Sequence, residues 1–431
     1  MGGCVAMSAS AQETKQSQDL SVELNPVVVT GTGTHHRLKD TPTPVEVVTA
    51  NDIKKAGITD FREAMTALVP SLSFSTNSMG DYLMLNGLSN KYVLILINGK
   101  KLTGDSSNNI DLNRIDMSNV KRIEVLKGAG SALYGSDAIG GVINIITNQP
   151  INDITVTSNT KVEERGQFTQ TANVDIKTEK FASYTSYQRR QADGWTLTRV
   201  DADGEARDQH DANAFYTDNY TQMFQFTPND KLSMYVEGSY YDRTVKRQPE
   251  YLKYNLTYDA YSLGAGAKYN FNKRSYIQFD IKNDNYDTNY LYTNEDGDNK
   301  VGDEVRQKRQ HYYSGNLKSL FRFTENTRTI FGVEYIQETL DRPSFNVDER
   351  AYTWATYAQE EITLFKNLQI QAGLRYVYHE TAKSNVTPKL AVMYRLGDFT
   401  IRGQYSAGFR APGLDELYKY LSLIHISEPT R

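Results

Sequence analysis

The chain has 431 residues, of which 39% are hydrophobic and 23% charged, and its formal net charge is -4. The basic side chains are spread along the chain and form no stripe, which excludes the charge pattern of a nucleic-acid-binding protein. A single cysteine, Cys4, excludes a disulfide framework within one chain. Nowhere do about 18 apolar residues follow one another, so the sequence predicts no membrane-spanning helix.

The first residues are typical of a processed N-terminus. Residues 9–11 read Ala-Ser-Ala, the small-x-small pattern that ends a secretory signal peptide, so residues 1–11 are predicted to be the remnant of one. Cys4 after two glycines leaves a lipoprotein anchor open as an alternative. The polar stretch at 12–25 then predicts a flexible arm.

The arm leads into a short β-branched segment. Such residues favour an extended conformation, so the segment is able to add as a strand to the sheet edge of another protein. A first strand of the following domain is the alternative. The predicted partner-binding residues are Val27, Val28, Val29, Thr30, Gly31 and Thr32.

The pattern of apolar residues and helix caps at 39–150 predicts a compact α+β domain. A strand at 44–49 precedes a helix that Asn51 or Asp52 is expected to cap. Thr59 is expected to cap a second helix, which Pro70 ends.

A buried strand and a hairpin are predicted further along this domain. The continuous apolar run at 92–97 indicates a strand that is covered on both faces. Asn98-Gly99 after it is the strongest short signal for a two-residue β-turn, so a return strand is expected to begin at Lys101.

Residues 122–145 carry the most informative pattern in the chain. They read Arg-Ile-Glu-Val-Leu-Lys-Gly at 122–128 and Ser-Ala-Leu-Tyr-Gly-Ser-Asp-Ala-Ile-Gly-Gly-Val-Ile-Asn-Ile at 131–145. This stretch closely resembles the plug-domain signature of the TonB-dependent receptor family. Residues 85–89 resemble a second plug motif, in which Asn86 stands where the family has arginine. The resemblance implies that the β-branched segment at 27–32 is a TonB box within a periplasmic arm at 12–38.

The same stretch supports two further predictions. Its glycines mark places where the backbone takes a positive φ or approaches another backbone closely. They do not form a dinucleotide-binding fingerprint, because Leu133 stands where the third glycine belongs. Arg122 and Glu124 lie on one face of a strand and are predicted to pair with charges on a surrounding wall, with a solvated charge pair as the alternative.

From residue 151 the chain repeats segments of about 10 residues that are separated by polar turns. Apolar and polar residues alternate at 368–378 and 399–410, and many of the 30 tyrosines lie at strand ends. The pattern predicts an antiparallel transmembrane β-barrel over residues 151–420. A soluble β-sandwich also alternates and is the alternative.

The barrel is expected to be truncated. About 13 strands are counted between residues 151 and 410, whereas plugged transporters close with 22. Two unpaired edges in hydrocarbon would keep such a sheet from inserting. Residues 409–418 resemble a motif that the family carries in mid-barrel, and Arg410 within it is expected to contact the plug. Residues 421–431 resemble translated sequencing-adapter read-through and are set aside.

No motif indicates catalysis or metal binding. None of the six histidines has a second ligand at metal spacing, and no Gly-x-Ser-x-Gly elbow is present. Residues 296–300 resemble a calcium loop, but Lys300 occupies a ligand position. The chain is therefore predicted to be no enzyme and to hold no cofactor and no metal.

The family resemblance implies an outer-membrane receptor that imports a scarce, large nutrient, such as an iron-siderophore, haem or cobalamin. The implied partners are TonB, outer-membrane lipid and that small-molecule chelate or cofactor, with no nucleic acid. A non-transporting barrel used for adhesion or docking, and a glycan importer, are the alternatives.

Two polar loops, at 75–82 and 104–109, are predicted to lie opposite the TonB box and to contact the ligand. Ordinary turn chemistry is the alternative interpretation of their composition. The predicted ligand contacts are Asn77, Ser78, Met79, Asp81, Tyr82, Ser106, Ser107, Asn108 and Asn109.

Overall fold

The computed structural model describes residues 5–9, 26–77, 80–106, 109–200, 205–247 and 252–418. Most of the predicted arm and the tail at 421–431 lie outside the described residues. Within the described part, a small domain of short elements is followed by a large sheet of long strands. In that part of the chain, no helix has the length and apolar character needed to span a membrane.

The small domain contains short strands and helices. Its strands, together with one N-terminal strand, are β1 (Val5–Ala9), β2 (Val27–Val28), β3 (His36–Arg37), β4 (Val45–Thr49), β5 (Leu72–Asn77), β6 (Gly80–Leu85), β7 (Leu88–Ser89), β8 (Val93–Ile97), β9 (Lys100–Lys101), β10 (Asp105–Ser106), β11 (Asn109–Ile110), β12 (Val120–Lys127) and β13 (Gly141–Thr147). Its helices are α1 (Ala50–Lys55), α2 (Phe61–Leu68) and α3 (Ser131–Tyr134).

Both helix caps differ from the expected ones. Thr49 caps α1: its side chain accepts a hydrogen bond from the backbone N of Asp52, whose carboxylate accepts one from the backbone N of Thr49. Asp52 is thus the third helical residue of a capping box and not the cap itself. Asp60, rather than Thr59, caps α2, because its carboxylate accepts a hydrogen bond from the backbone N of Glu63 at 3.0 Å.

A five-stranded sheet in the order β4-β12-β13-β8-β9 forms the centre of the small domain. One face carries the main hydrophobic core, to which α1 and α2 contribute Ile53, Phe61 and Met65. The other face buries a smaller cluster that includes Val28. The predicted hairpin after β8 is confirmed, since Asn98 and Gly99 both have a positive φ, but the return strand begins at Lys100.

The large sheet consists of long antiparallel strands. They are β14 (Ile154–Val162), β15 (Phe168–Lys177), β16 (Phe181–Ala192), β17 (Trp195–Val200), β18 (Ala206–Ala212), β19 (Ala214–Asn229), β20 (Leu232–Lys246), β21 (Tyr254–Asn272), β22 (Ser275–Tyr292), β23 (Glu304–Phe321), β24 (Thr327–Arg342), β25 (Val347–Leu364), β26 (Leu368–His379), β27 (Lys383–Leu396) and β28 (Phe399–Ser406). The strands of this sheet pair in chain order, except that β16 pairs with β19 because β17 and β18 form a separate two-stranded sheet.

The predicted antiparallel sheet of about 13 strands is confirmed. Within the described residues, 13 strands run in order from β14 to β28, and β1 pairs with the free edge of β14. The edge strands β1 and β28 do not pair with each other among the described residues, so the curved sheet is open there.

Side-chain exposure identifies the two faces of this sheet. On β26, Leu374 is 53% exposed whereas Gln371 is fully buried. The apolar residues therefore face outward and the polar ones face the small domain, which is the arrangement of a membrane barrel and the reverse of a soluble sandwich.

The large sheet forms a curved wall beside the small domain, and the two ends of this wall also differ. At one end the turns are tight, as at Lys273-Arg274 between β21 and β22. At the other end the connections are longer, as from Thr293 to Asp303 between β22 and β23. Outer-membrane barrels have short turns on the periplasmic side and longer loops outside, so the tight-turn end is assigned to the periplasm.

Candidate functional site: the N-terminal segment, the lumen and the loops

The predicted TonB box lies inside the lumen, between the small domain and the wall. β2 and β3 pair as a short hairpin, and the chain around them is enclosed. Thr30 is fully buried, and Val28 and Thr32 are almost so. The segment that the sequence predicts to be a free extended strand is thus folded into the protein in this structure.

Glu124 on β12 holds this segment. Its Oε2 accepts hydrogen bonds from the backbone N of Val29 at 2.9 Å and of Thr30 at 2.8 Å, and from Oγ1 of Thr30 at 2.6 Å. Its Oε1 accepts one from Nε of Arg122 at 2.7 Å. The expected pairing of Arg122 and Glu124 with wall charges is replaced by these contacts, because two adjacent N–H groups converge on the carboxylate.

Two further residues that hold Thr30 were missed by the sequence reasoning. Asn144 donates from Nδ2 to Oγ1 of Thr30 at 3.1 Å, and the hydroxyl of Tyr134 donates to the carbonyl oxygen of Thr30 at 3.0 Å. Asn144 carried a usable signal, since it is the only amide side chain within the apolar strand β13.

The wall contributes cations and an amide to the same segment. Nζ of Lys389 donates to the carbonyl oxygen of Gly31 at 2.9 Å, and Nζ of Lys318 to that of Gly33 at 2.6 Å. Between them, Nε2 of Gln359 donates to the carbonyl oxygen of Thr32 at 2.7 Å. Three successive carbonyl groups of different residues are thereby satisfied by side chains of the wall.

The hairpin is also fixed near the tight-turn end of the wall. Nε2 of His36 and Oε2 of Glu361 are 2.8 Å apart, and Oγ1 of Thr34 donates to the same carboxylate at 3.2 Å. Glu361 lies close to the end of β25, whose next connection is one of the tight turns. The N-terminal segment therefore occupies the periplasmic half of the lumen.

The predicted ligand loops lie towards the opposite end. In the loop at 104–109, Asp105 forms an ion pair with Lys308 at 2.6 Å, near the start of β23. Asn109 accepts a hydrogen bond from Nδ2 of Asn90 at 3.1 Å. Ser106 pairs with Asn109 in the β10–β11 hairpin.

Four of the predicted ligand contacts fall at the tips of the two loops. Ser78, Met79, Ser107 and Asn108 lie outside the described residues. The backbones of Asn77 and Asp81 belong to the β5–β6 hairpin, and Tyr82 follows on β6 as a half-buried residue.

Asp111 and Arg114 fasten the small domain to the wall. The Asp111 carboxylate accepts hydrogen bonds from the hydroxyls of Tyr241 and Tyr286 and forms an ion pair with Arg243 at 3.2 Å. Burial by itself raises the pKa of Asp111, but Arg243 and these hydrogen bonds outweigh burial and hold that pKa below its ordinary value.

Arg114 forms the second fastening. Its Nη2 lies 2.7 Å from Oδ1 of Asp284, and both side chains are nearly inaccessible to solvent. Oγ1 of Thr103 donates to the same carboxylate, and Lys282 approaches it at 3.2 Å. The side of the small domain that faces β20–β22 is thus bound by buried charged groups.

Arg410 lies after the last strand and against the small domain. Its guanidinium is 3.7 Å from Asp137 and pairs with Glu416. The neighbouring backbone also contacts the domain, because the backbone N of Phe409 donates to Ser131 at 3.1 Å.

A cavity of about 580 Å³ separates the small domain from the wall on the side of β22–β26. It extends from Gly33 and Lys318, beside the N-terminal segment, to Asp105 and Gln310 at the loop end. This volume falls within the range of small-molecule sites in proteins.

Within the described residues, no group of three or more His, Cys, Asp or Glu side chains is placed to hold a metal ion. The loop that resembles a calcium site carries an isolated bridge between Asp296 and Asn299, and Asp296 pairs with Lys253 at 3.1 Å. A lysine ammonium thus lies against the carboxylate that a cation would need.

Two family models match the chain in succession. Residues 37–142 match the TonB-dependent receptor plug domain, and residues 146–427 match the TonB-dependent receptor-like β-barrel. The chain belongs to the TonB-dependent receptor family: the small domain is its plug and the curved sheet its barrel wall. It is a protein of the Gram-negative outer membrane.

Curated relatives are about a quarter identical to the chain over the aligned residues. An iron-regulated outer membrane virulence protein of Vibrio cholerae is 25% identical over 97% of this chain. The vitamin B12 transporter BtuB of Vibrio cholerae is 25% identical over 91% of it, and the ferric enterobactin receptor PirA of Pseudomonas aeruginosa 25% over 96%. The chain spans 64% of the length of each.

Solved structures agree in fold. The siderophore receptor PirA of Acinetobacter baumannii has a TM-score of 0.71 at 17% identity, covering 85% of this chain and 61% of its own. A mutant of the ferric enterobactin receptor PfeA of Pseudomonas aeruginosa has a TM-score of 0.72 at 16% identity, covering 90% of this chain and 64% of its own.

Proposed function

We propose that this receptor imports a large, scarce nutrient across the outer membrane, with a ferric siderophore as the favoured ligand. Two of the three relatives named above are described as iron-regulated or as a ferric enterobactin receptor, and one as a vitamin B12 transporter. Haem and cobalamin remain the other candidates. The domain limits that we propose are 39–150 for the plug and 151–420 for the barrel.

We further propose that TonB binds the segment at 27–32 and pulls it toward the periplasm. The observation that carries this proposal is the position of the segment: it lies in the periplasmic half of the lumen and contacts both Glu124 of the plug and Lys389 of the wall. Withdrawing it would break contacts with both domains at once, so a pull on one short strand would loosen the plug.

A proline substitution tests the partner segment. Val27 of the hairpin is 42% exposed, and Val27→Pro removes a backbone donor that a pairing strand needs. In the native receptor, expressed from its own gene, we expect Val27→Pro to abolish energised uptake and to leave ligand binding at the cell surface unchanged. Val27→Ala is the matched control, and uptake by the proline variant at the control's rate would refute the role.

The proposal that two plug loops contact the ligand rests on the position of these loops alone. Ligand contact is assigned to the loops at 75–82 and 104–109, which lie toward the long-connection end, opposite the TonB box. Binding to a panel of ferric siderophores, haem and cyanocobalamin would identify the ligand. Alanine replacement of both loops should then weaken binding at least ten-fold, as expected for the loss of two or more hydrogen bonds, and unchanged affinity would place the site elsewhere.

A further inference from the structure

Three cations of the barrel wall share one kind of hydrogen-bond acceptor, although Lys389 is buried, Lys318 half-buried and Arg402 exposed. Lys318, Lys389 and Arg402 have no ion-pair partner within 4.0 Å among the described residues. Each donates instead to backbone carbonyl oxygens of the N-terminal stretch: Lys389 to Gly31, Lys318 to Gly33, and Arg402 to Thr41 at 3.1 Å and to Lys39 at 2.9 Å.

Two acidic residues of the wall, Asp280 and Glu361, form no ion pair with these cations within 4.0 Å among the described residues. Asp280 accepts hydrogen bonds from the hydroxyl of Tyr235 at 2.5 Å and from Gln278 at 2.7 Å. Glu361 is engaged by Thr34 and His36 of the N-terminal stretch itself. Removing that stretch would leave Glu361 with Gln359 and Arg328 of the wall, whereas the three cations would lose their carbonyl acceptors.

For such cations, a neutral carbonyl oxygen is a weaker hydrogen-bond acceptor than an anionic oxygen. A hydrogen bond from an ammonium or guanidinium group to an anionic oxygen is shorter and roughly twice as strong as one between neutral groups. Lys389 is almost completely buried, so water replaces a lost acceptor poorly there. An anion that enters the space would meet donors already directed into it.

We propose that Lys318, Lys389 and Arg402 form a transit site for an anionic ligand, and that the carbonyl oxygens of residues 31–41 occupy this site in the resting receptor. The proposal rests on the proposed import function and names the charge class of the cargo: an oxygen-rich, negatively charged metal chelate. Withdrawal of the N-terminal segment exposes the cations, so the pull that loosens the plug also creates the attraction that draws the cargo in.

The position of the cavity supports this path. It is lined by Gly33 and Lys318 at one end and by Asp105 at the other, so it connects the transit site with the loop end of the plug. The opposite side of the plug is fastened to β20–β22 through Arg114 and Asp284. A ligand would therefore pass along β22–β26 and reach Lys318 first.

The first test removes the charge but keeps a polar side chain at each position in the native receptor. We expect K318Q/K389Q to bind a ferric tris-catecholate at the cell surface as the native receptor does and to import it about ten-fold more slowly, as the loss of charge-assisted hydrogen bonds predicts. The charge-preserving K318R/K389R variant should import at close to the native rate. The proposal would be overturned if the glutamine variant imported at the native rate or if both variants lost import equally. It would also be overturned if the native cargo carried no negative charge.

A second measurement does not depend on import. Glu124→Gln weakens the hold on the N-terminal segment and should open the site in the purified receptor without TonB. Equilibrium dialysis with the ferric tris-catecholate should then show a binding site that the triple variant E124Q/K318Q/K389Q lacks. If the purified receptor shows this binding site but cells do not import the chelate, only the import function is refuted. If E124Q and the triple variant bind the chelate equally, the transit site is refuted.

Discussion

Glu124 and Thr30 are joined by two hydrogen bonds, one from the backbone N of Thr30 at 2.8 Å and one from its Oγ1 at 2.6 Å. The two residues are 94 positions apart, and both are fully buried. This plug carboxylate is thus one of the groups that hold the segment that we assign to TonB binding, together with Asn144 of the plug and Lys389 of the wall.

Glu124→Ala should release this segment. The substitution leaves two buried backbone N–H groups without an acceptor, which costs about 1–3 kcal/mol for each. We expect the thiol of a Thr32→Cys reporter to react with a maleimide at least ten-fold faster in the Glu124→Ala background. Glu46→Ala is the control, because Glu46 lies on the adjacent strand β4 but pairs with Lys127 on the surface. Equal labelling rates in the two backgrounds would contradict the role of Glu124.

Asp284→Asn should weaken the attachment of the plug to the wall. The substitution leaves the buried guanidinium of Arg114 without its counter-charge, and such a loss typically costs about 3–5 kcal/mol. Urea-induced release of the plug, followed by protease susceptibility, should shift accordingly to lower urea concentration.

Two comparison variants sharpen this test. The triple variant R114M/K282M/D284L removes all three charges of this cluster, including Lys282 beside Asp284, and should recover most of the loss, since no charge is then left unpaired. Arg274→Gln breaks the exposed pair with Glu325 and should change plug release by less than about 1 kcal/mol. A loss for Asp284→Asn no greater than that for Arg274→Gln would contradict the buried fastening.

Acid should loosen the plug through Asp111. Because the pKa of Asp111 is held below its ordinary value of 3.8, the docked state binds fewer protons than the released state. The contribution of Asp111 is therefore fully present above that ordinary value and is lost as the pH falls through the lower pKa of the docked state. Plug release measured from about pH 5 to pH 2 should show a steeper acid dependence in the native receptor than in Asp111→Asn. Parallel curves would contradict the assignment.

Gly141→Ala should destabilise the plug through a backbone clash. A Cβ at position 141 would lie 2.4 Å from the carbonyl oxygen of Leu126 on the neighbouring strand and equally close to Leu85. Overpacking of this kind costs about 1–3 kcal/mol. Gly315→Ala, whose Cβ would meet nothing within 4 Å, should be close to neutral. Thermal unfolding of the two variants, compared with the native receptor, checks the difference.

The sequence by itself determined the class of fold. Alternation with period two and the sequence of residue types at 122–145 are local properties, so they predicted the small α+β domain and the antiparallel sheet correctly. The turn at Asn98-Gly99 followed from the φ preferences of two adjacent residues, and the close approach at Gly141 from the absence of a side chain. These features depend on near neighbours in the chain.

Only the tertiary structure decided which groups meet across the lumen. Glu124 and Thr30, or Lys389 and Gly31, are separated by 94 and 358 positions, and no periodicity in either segment encodes the pairing. The sequence therefore left open whether Val27 to Thr32 would be a partner-binding strand or a strand of the following domain, and in the fold the plug and the wall together satisfy its backbone groups. A buried N–H or carbonyl group must find a partner wherever the fold supplies one, and here the fold supplies a carboxylate from the plug and ammonium groups from the wall.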